Sequence, residues 1–147
     1  ALKVGKMKKY VTDFANPKVV GAEGTIVTPH LGASTKESED NCAVMAVKEV
    51  RDFLENGNIK NSVNFPNCDM GVCTGAGRVT ICHKNIPGML GAFTTVMGNA
   101  GVNISDMTNK GKGDYAYTMM DLESKATEEM VKALEAVDGV LKVRIIK

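Results

Sequence analysis

The chain has 147 residues, 44% hydrophobic and 24% charged, enough for one ordinary domain or two small ones. Its 18 basic and 17 acidic residues nearly cancel, which removes any electrostatic case for nucleic acid or an anionic membrane as partner. No apolar run approaches the roughly 20 residues that span a bilayer. No secretory signal is visible, and Cys42, Cys68, Cys73 and Cys82 are too sparse for a disulfide framework, so reduced thiols in a cytoplasmic protein are expected.

The chain opens in mid-pattern with Leu2-Lys3-Val4-Gly5-Lys6, which reads as a fragment of something longer. Residues 10–14 and 25–28 are short apolar runs separated by Asn16-Pro17 and by Gly21 and Gly24, which predicts two strands with a turn between them. These strands lack evident partners, so residues 1–33 are expected to be disordered or to pair with neighbouring chains. Thr28-Pro29 ends the second strand, and Ser34 or Thr35 can cap a helix. From residue 35 to 56 the apolar positions Cys42, Met45, Ala46, Val50, Phe53 and Leu54 recur at helical spacing, and Asn56-Gly57 supplies the stop. Residues 58–76, rich in Asn and Gly, read as a connector holding one strand-like run, Ser62-Val63-Asn64-Phe65.

Residues 77–147 follow the order strand, helix, strand, strand, helix, strand. Val79 and Ile81 alternate with Thr80 and Cys82; Leu90, Phe93 and Met97 stripe the first helix; Val102 and Ile104 begin the second strand. Lys110 to Asp114 is a hairpin turn before the third strand, residues 115–122. The second helix starts near Thr127, buries Met130, Leu134 and Val137, and ends at Gly139 before Leu141, Val143 and Ile145. This is the ferredoxin-like βαββαβ pattern, an α/β (α+β) class. One sheet face and an edge would be left bare, and a second copy of the chain is expected to cover them.

His83-Lys84-Asn85-Ile86-Pro87-Gly88 closes a strand and opens a helix, and Gly101-Val102-Asn103-Ile104 begins the next strand. Pro87 suits the first helical position, and the helix N-terminus offers free N–H groups to a carboxylate. Asn85 and Asn103 each donate and accept, and His83 adds a ring nitrogen, so the group suits a small zwitterion. Taken singly, Asn103 reads as a turn residue and His83 as a satisfied strand-end residue. Cys68, Cys73, Cys82 and His83 invite a zinc reading, but four residues separate the first pair and the last two point to opposite strand faces, so no metal is expected. His30, alone after a strand, is on spacing by itself more often structural than catalytic.

These residues and this element order resemble the ACT domain, a regulatory amino-acid-binding module. With Thr28-Pro29-His30-Leu31-Gly32-Ala33-Ser34-Thr35 they resemble the C-terminal part of the D-3-phosphoglycerate dehydrogenase family, NAD-dependent 2-hydroxyacid dehydrogenases. The resemblance implies that residues 1–33 end a nucleotide-binding (Rossmann-type) domain, 34–57 cross over to the substrate domain, 58–76 connect, and 77–147 form the ACT domain. It implies that His30 is the general acid/base of a parent that oxidises 3-phosphoglycerate with NAD in serine biosynthesis, Asp13, His30, Leu31, Gly32 and Ala33 lying against the cofactor. The family's Glu partner of that His precedes a Pro, whereas Asn16 precedes Pro17 here, which leaves Asp13 or Glu23 in that role. The substrate-binding Arg and the Gly-rich dinucleotide turn would lie before Ala1, and Gly75-Ala76-Gly77 does not replace them. The chain alone is therefore expected to be inactive. The family's effector, L-serine, binds between two ACT domains of a homo-oligomer, here at His83, Asn85, Pro87, Gly88 and Asn103. A free-standing amino-acid sensor and another ACT-tailed 2-hydroxyacid dehydrogenase are the alternatives.

Overall fold

The computed structural model describes residues 1–147 and divides within one helix into two compact units, Ala1–Val44 and Met45–Lys147. No helix is long and apolar enough to cross a membrane.

In the first unit β1 (Tyr10–Thr12) and β2 (Thr25–Val27) pair in parallel, Tyr10 opposite Thr25. This corrects the expected simple turn between them, because parallel neighbours need a crossover. Residues 13–24 supply it, with Val19 and Val20 N–H both donating to Asn16 O. β1 stops at Thr12, short of the predicted end, because Thr12 Oγ1 accepts from Phe14 N (3.0 Å) and bends the chain. No residue of this unit is buried. Thr35 Oγ1 accepts from Ser38 N at 3.2 Å and caps α1 (Lys36–Asn56), with Glu37 and Glu39 in the first turn.

The second unit contains β3 (Gly77–Lys84), α2 (Met89–Asn99), β4 (Ile104–Lys112), β5 (Tyr115–Leu122), α3 (Glu128–Glu135) and β6 (Val140–Ile145). The sheet order is β4-β5-β3-β6 with every pair antiparallel, a ferredoxin-like fold. Gly113, at φ 60°, makes the β4–β5 turn. Alternation sends Val79, Ile81, Met120, Leu122 and Val143 to one face, where Phe93 and Met97 of α2 and Met130 and Leu134 of α3 close the core. Thr127 Oγ1 caps α3 by accepting from Met130 N (3.3 Å).

The opposite face is not left for a second copy to cover. Tyr117 and Met119 are buried there by Ile59 and Cys68, with Phe53, Phe65, Met70 and Cys82 packed around them. Residues 58–76 are thus a packed layer. Ile59 and Cys68 exchange backbone hydrogen bonds (2.8 and 3.0 Å), and Tyr117 Oη donates to Gly57 O at 2.8 Å. Residues 62–65 form bends instead of the predicted strand-like run, because Ser62 Oγ accepts from Phe65 N and Asn61 sits at φ 54°. Arg78, 1% exposed, fastens this layer to the sheet. Its guanidinium grips Asp121 with two nitrogens and donates to the carbonyls of Asn56, Gly71 and Met70.

Candidate functional site

β3 carries its hydrogen-bonded ladder to Lys84, whose N–H donates to Gly139 O, and Asn85 N then donates to Asp114 O across the β4–β5 turn. The chain turns into α2 through Gly88, which is the cap at φ 87°. Pro87 therefore lies outside the first helical position that the sequence predicts for it; Met89 begins the helix, and only Gly tolerates the left-handed cap well. Ala92 N makes the first helical bond, to Gly88 O, so the N–H groups of Met89, Leu90 and Gly91 precede the hydrogen-bonded ladder.

Beneath that helix end lies a cavity of about 260 Å³ lined by His83, Asn85, Gly88, Leu90, Gly91 and Asn109, among others. Its floor is polar. Asn85 Nδ2 donates to Gly113 O (3.1 Å), and the amide lies flat against Gly111, where an added Cβ would meet Nδ2 at 2.9 Å. The His83 ring is 2% exposed, packs edge-on to Phe93 at 5.0 Å, and uses both nitrogens: Nδ1 lies 2.8 Å from Lys84 O and Nε2 2.9 Å from Thr118 Oγ1. Thr118 Oγ1 lies in turn 2.9 Å from Asn109 Oδ1. The cavity thus joins peptide N–H groups and dipole, which attract a carboxylate, to the side-chain amides of Asn85 and Asn109, which can donate and accept.

Of the predicted effector residues, His83, Asn85 and Gly88 meet at this cavity, with Pro87 beside them. Asn103 does not join them within one chain. It precedes β4 at the far end, where its O accepts from Glu123 N (3.1 Å) and its Nδ2 donates to Glu123 Oε2 (3.0 Å). Eight residues of extended chain from Asn103 to Gly111 span roughly 27 Å. Asn109 and Thr118 were not predicted. Their signal was available: Asn109 stands opposite Thr118 in the β4–β5 register, and the buried Thr118 hydroxyl needs a partner.

In the first unit His30 follows β2, 56% exposed at its side chain, with Nδ1 4.0 Å from Asp13 Oδ2 and its ring edge-on to Phe14 at 4.5 Å. Asp13, not Glu23, is the carboxylate beside it. Leu31, Gly32 and Ala33 continue as an exposed loop to the α1 cap. On the sheet, Cys82 faces the outer layer while His83 faces the helices. Burial pushes the Cys68 thiol up to about 11 and raises that of Cys82, which Arg144 partly offsets. Both are poor thiolate ligands near neutral pH.

No family model matches the chain. It is 27% identical over 126 residues to D-3-phosphoglycerate dehydrogenase of Escherichia coli K12, covering 84% of this chain and 30% of that protein. With the enzyme of the same name from Haemophilus influenzae it shares 26% over 157 aligned positions, 99% of this chain and 38% of that one. Among solved structures, the crystal structure of the ACT domain from GTP pyrophosphokinase of Chlorobium tepidum is similar at 21% identity and a TM-score of 0.42, covering 47% of this chain and 94% of that domain. Over most of its length this chain is similar to D-3-phosphoglycerate dehydrogenases, spanning about a third of the relatives it matches.

Proposed function

We propose that this chain is the effector-binding part of an NAD-dependent D-3-phosphoglycerate dehydrogenase of serine biosynthesis, with residues 77–147 an ACT module that takes L-serine as feedback effector. The cavity at the α2 N-terminus carries this reading: peptide N–H groups of Met89 to Gly91 for the carboxylate, and Asn85 for the polar groups. Residues 1–33 belong to the end of the nucleotide-binding domain, 34–57 cross over, and 58–76 link the two. His30 serves the parent as general acid/base beside Asp13, with Leu31, Gly32 and Ala33 near NAD. The redox chemistry is the cofactor's; His30 holds or moves the proton at the substrate hydroxyl.

Asn103 enters the site from a second copy. β4 is an edge strand, unpaired on its outer side. Two copies joined antiparallel through β4 about an axis at Met107 set position 103 of one against 111 of the other, since each lies four residues from 107. Gly111 is where Asn85 packs. A serine there is held by Asn85 of one copy and the amide of residue 103 of the other, and affects turnover by binding two arrangements of the parent unequally.

Mixing variants tests this. Asn85→Ala and Asn103→Ala chains should each bind L-serine more weakly in calorimetry, by roughly 1–3 kcal/mol where a buried polar partner is orphaned. Mixed and re-equilibrated, they should recover wild-type affinity at one site per mixed dimer. No recovery on mixing would show that the two amides do not share a site across copies. Failure of the wild-type chain to bind serine, with glycine, alanine and threonine as controls, would remove the effector reading.

A further inference from the structure

Asn109 stands outside the residues assigned to the effector site, yet it lines the cavity and touches a buried polar chain that ends on a backbone carbonyl. The proton arithmetic of that chain is restrictive. Lys84 O can only accept, so His83 Nδ1 carries a hydrogen. Thr118 has a single hydroxyl proton for two neighbours at 2.9 Å, His83 Nε2 and the Asn109 amide. With Asn109 Oδ1 turned inward, that proton goes to Asn109. His83 Nε2 must then donate to Thr118, making the ring an imidazolium. Half a turn about the Asn109 amide bond gives the other arrangement: Asn109 Nδ2 donates to Thr118, Thr118 donates to Nε2, and the ring is neutral. The ring is 2% exposed, and the second arrangement gives every polar atom of the chain a partner with one hydrogen on the ring.

We propose that Asn109 is a ligand-contacting amide of this cavity, held by Thr118 and His83 so that its carbonyl oxygen faces the ammonium group of a bound α-amino acid. The inference rests on the cavity's being an amino-acid site and adds what orients the ligand within it. The carboxylate lies at the α2 N-terminus, and the ammonium meets the Asn109 oxygen on the edge strand. His83 is then a positioning residue: its ring faces Phe93 and Thr118, and its effect reaches the ligand through the amide it orients.

The test is calorimetric titration of the 147-residue chain with L-serine, alongside nitrogen-15 spectra of the His83 ring. Asn109→Leu should weaken serine binding about tenfold, the effect of removing one partner of a charged group. Asn109→Thr, which suits an edge strand, repeats the test should Asn109→Leu fold poorly. Thr118→Val should weaken binding and release Nε2 to a free-acceptor shift, while Thr118→Ser restores both. In the wild type the ring should be the neutral tautomer with its hydrogen on Nδ1. Wild-type affinity in Asn109→Thr, with Asn85→Ala weakened, would overturn the proposal and leave the amino-acid site standing. A hydrogen on Nε2 would overturn the relay. Absence of amino-acid binding by the wild type would overturn both the proposal and the reading beneath it.

Discussion

Cys42 and Cys68 carry the same thiol in opposite surroundings. Cys42 is exposed on α1, whereas Cys68 is 1% exposed between Ile59 and the sheet, and burial pushes its thiol up to about 11. A maleimide pulse at neutral pH should therefore label Cys42 first and Cys68 last, and mass spectrometry of the digest reads the order. Equal rates would mean that the outer layer opens readily. Tyr117, buried beneath the same layer, is likewise raised to about 12. Both groups hold their protons more tightly folded than unfolded, so the folded state loses stability as pH rises above their ordinary values of 9.0 and 10.0. Melting temperature should be insensitive to these groups below pH 9 and fall between about pH 9 and 12. The residue scale is also where sequence reading was least complete. His83 and Asn85 stand out by their place between strand and helix, but Asn109 acquires meaning only through the β4–β5 register that sets it against Thr118.

At the scale of elements, the βαββαβ order was legible because period-2 and helical patterns alternate cleanly and Gly113, Thr127 and Gly139 punctuate them. Residues 58–76 were not. Their side chains lack periodicity because they pack singly, Ile59 and Cys68 buried and Val63 93% exposed, and their order comes from hydrogen bonds to Asn58, Asp52 and Arg78. Arg78→Met should cost about 3–5 kcal/mol in urea unfolding, since Asp121 is left without its guanidinium. Thr127→Ala, which removes only a cap, should cost about 1 kcal/mol. A smaller loss for Arg78→Met than for Thr127→Ala would refute the view that Arg78 fastens the layer.

The whole molecule is uneven in stability. Residues 1–44 have no buried side chain, and Val11, Phe14 and Leu31 are 59–70% exposed, whereas β3 and β5 line both packed faces. Amide exchange should reflect this. β1 and β2 should exchange close to unprotected rates, and central amides of β3 and β5 more slowly by about two orders of magnitude or more. Strong protection of β1 in monomeric chains would contradict it.

The layer over the outer face also decides what can be transplanted. An engineer wishing to move this sheet and its helices onto an unrelated protein would naturally cut before Gly77, where the first strand of the sheet begins. That graft would carry Tyr117 and Met119 away bare and leave Arg78 without the carbonyls of Asn56, Met70 and Gly71. The cassette that travels intact starts upstream, near the end of α1, and brings its own cover with it.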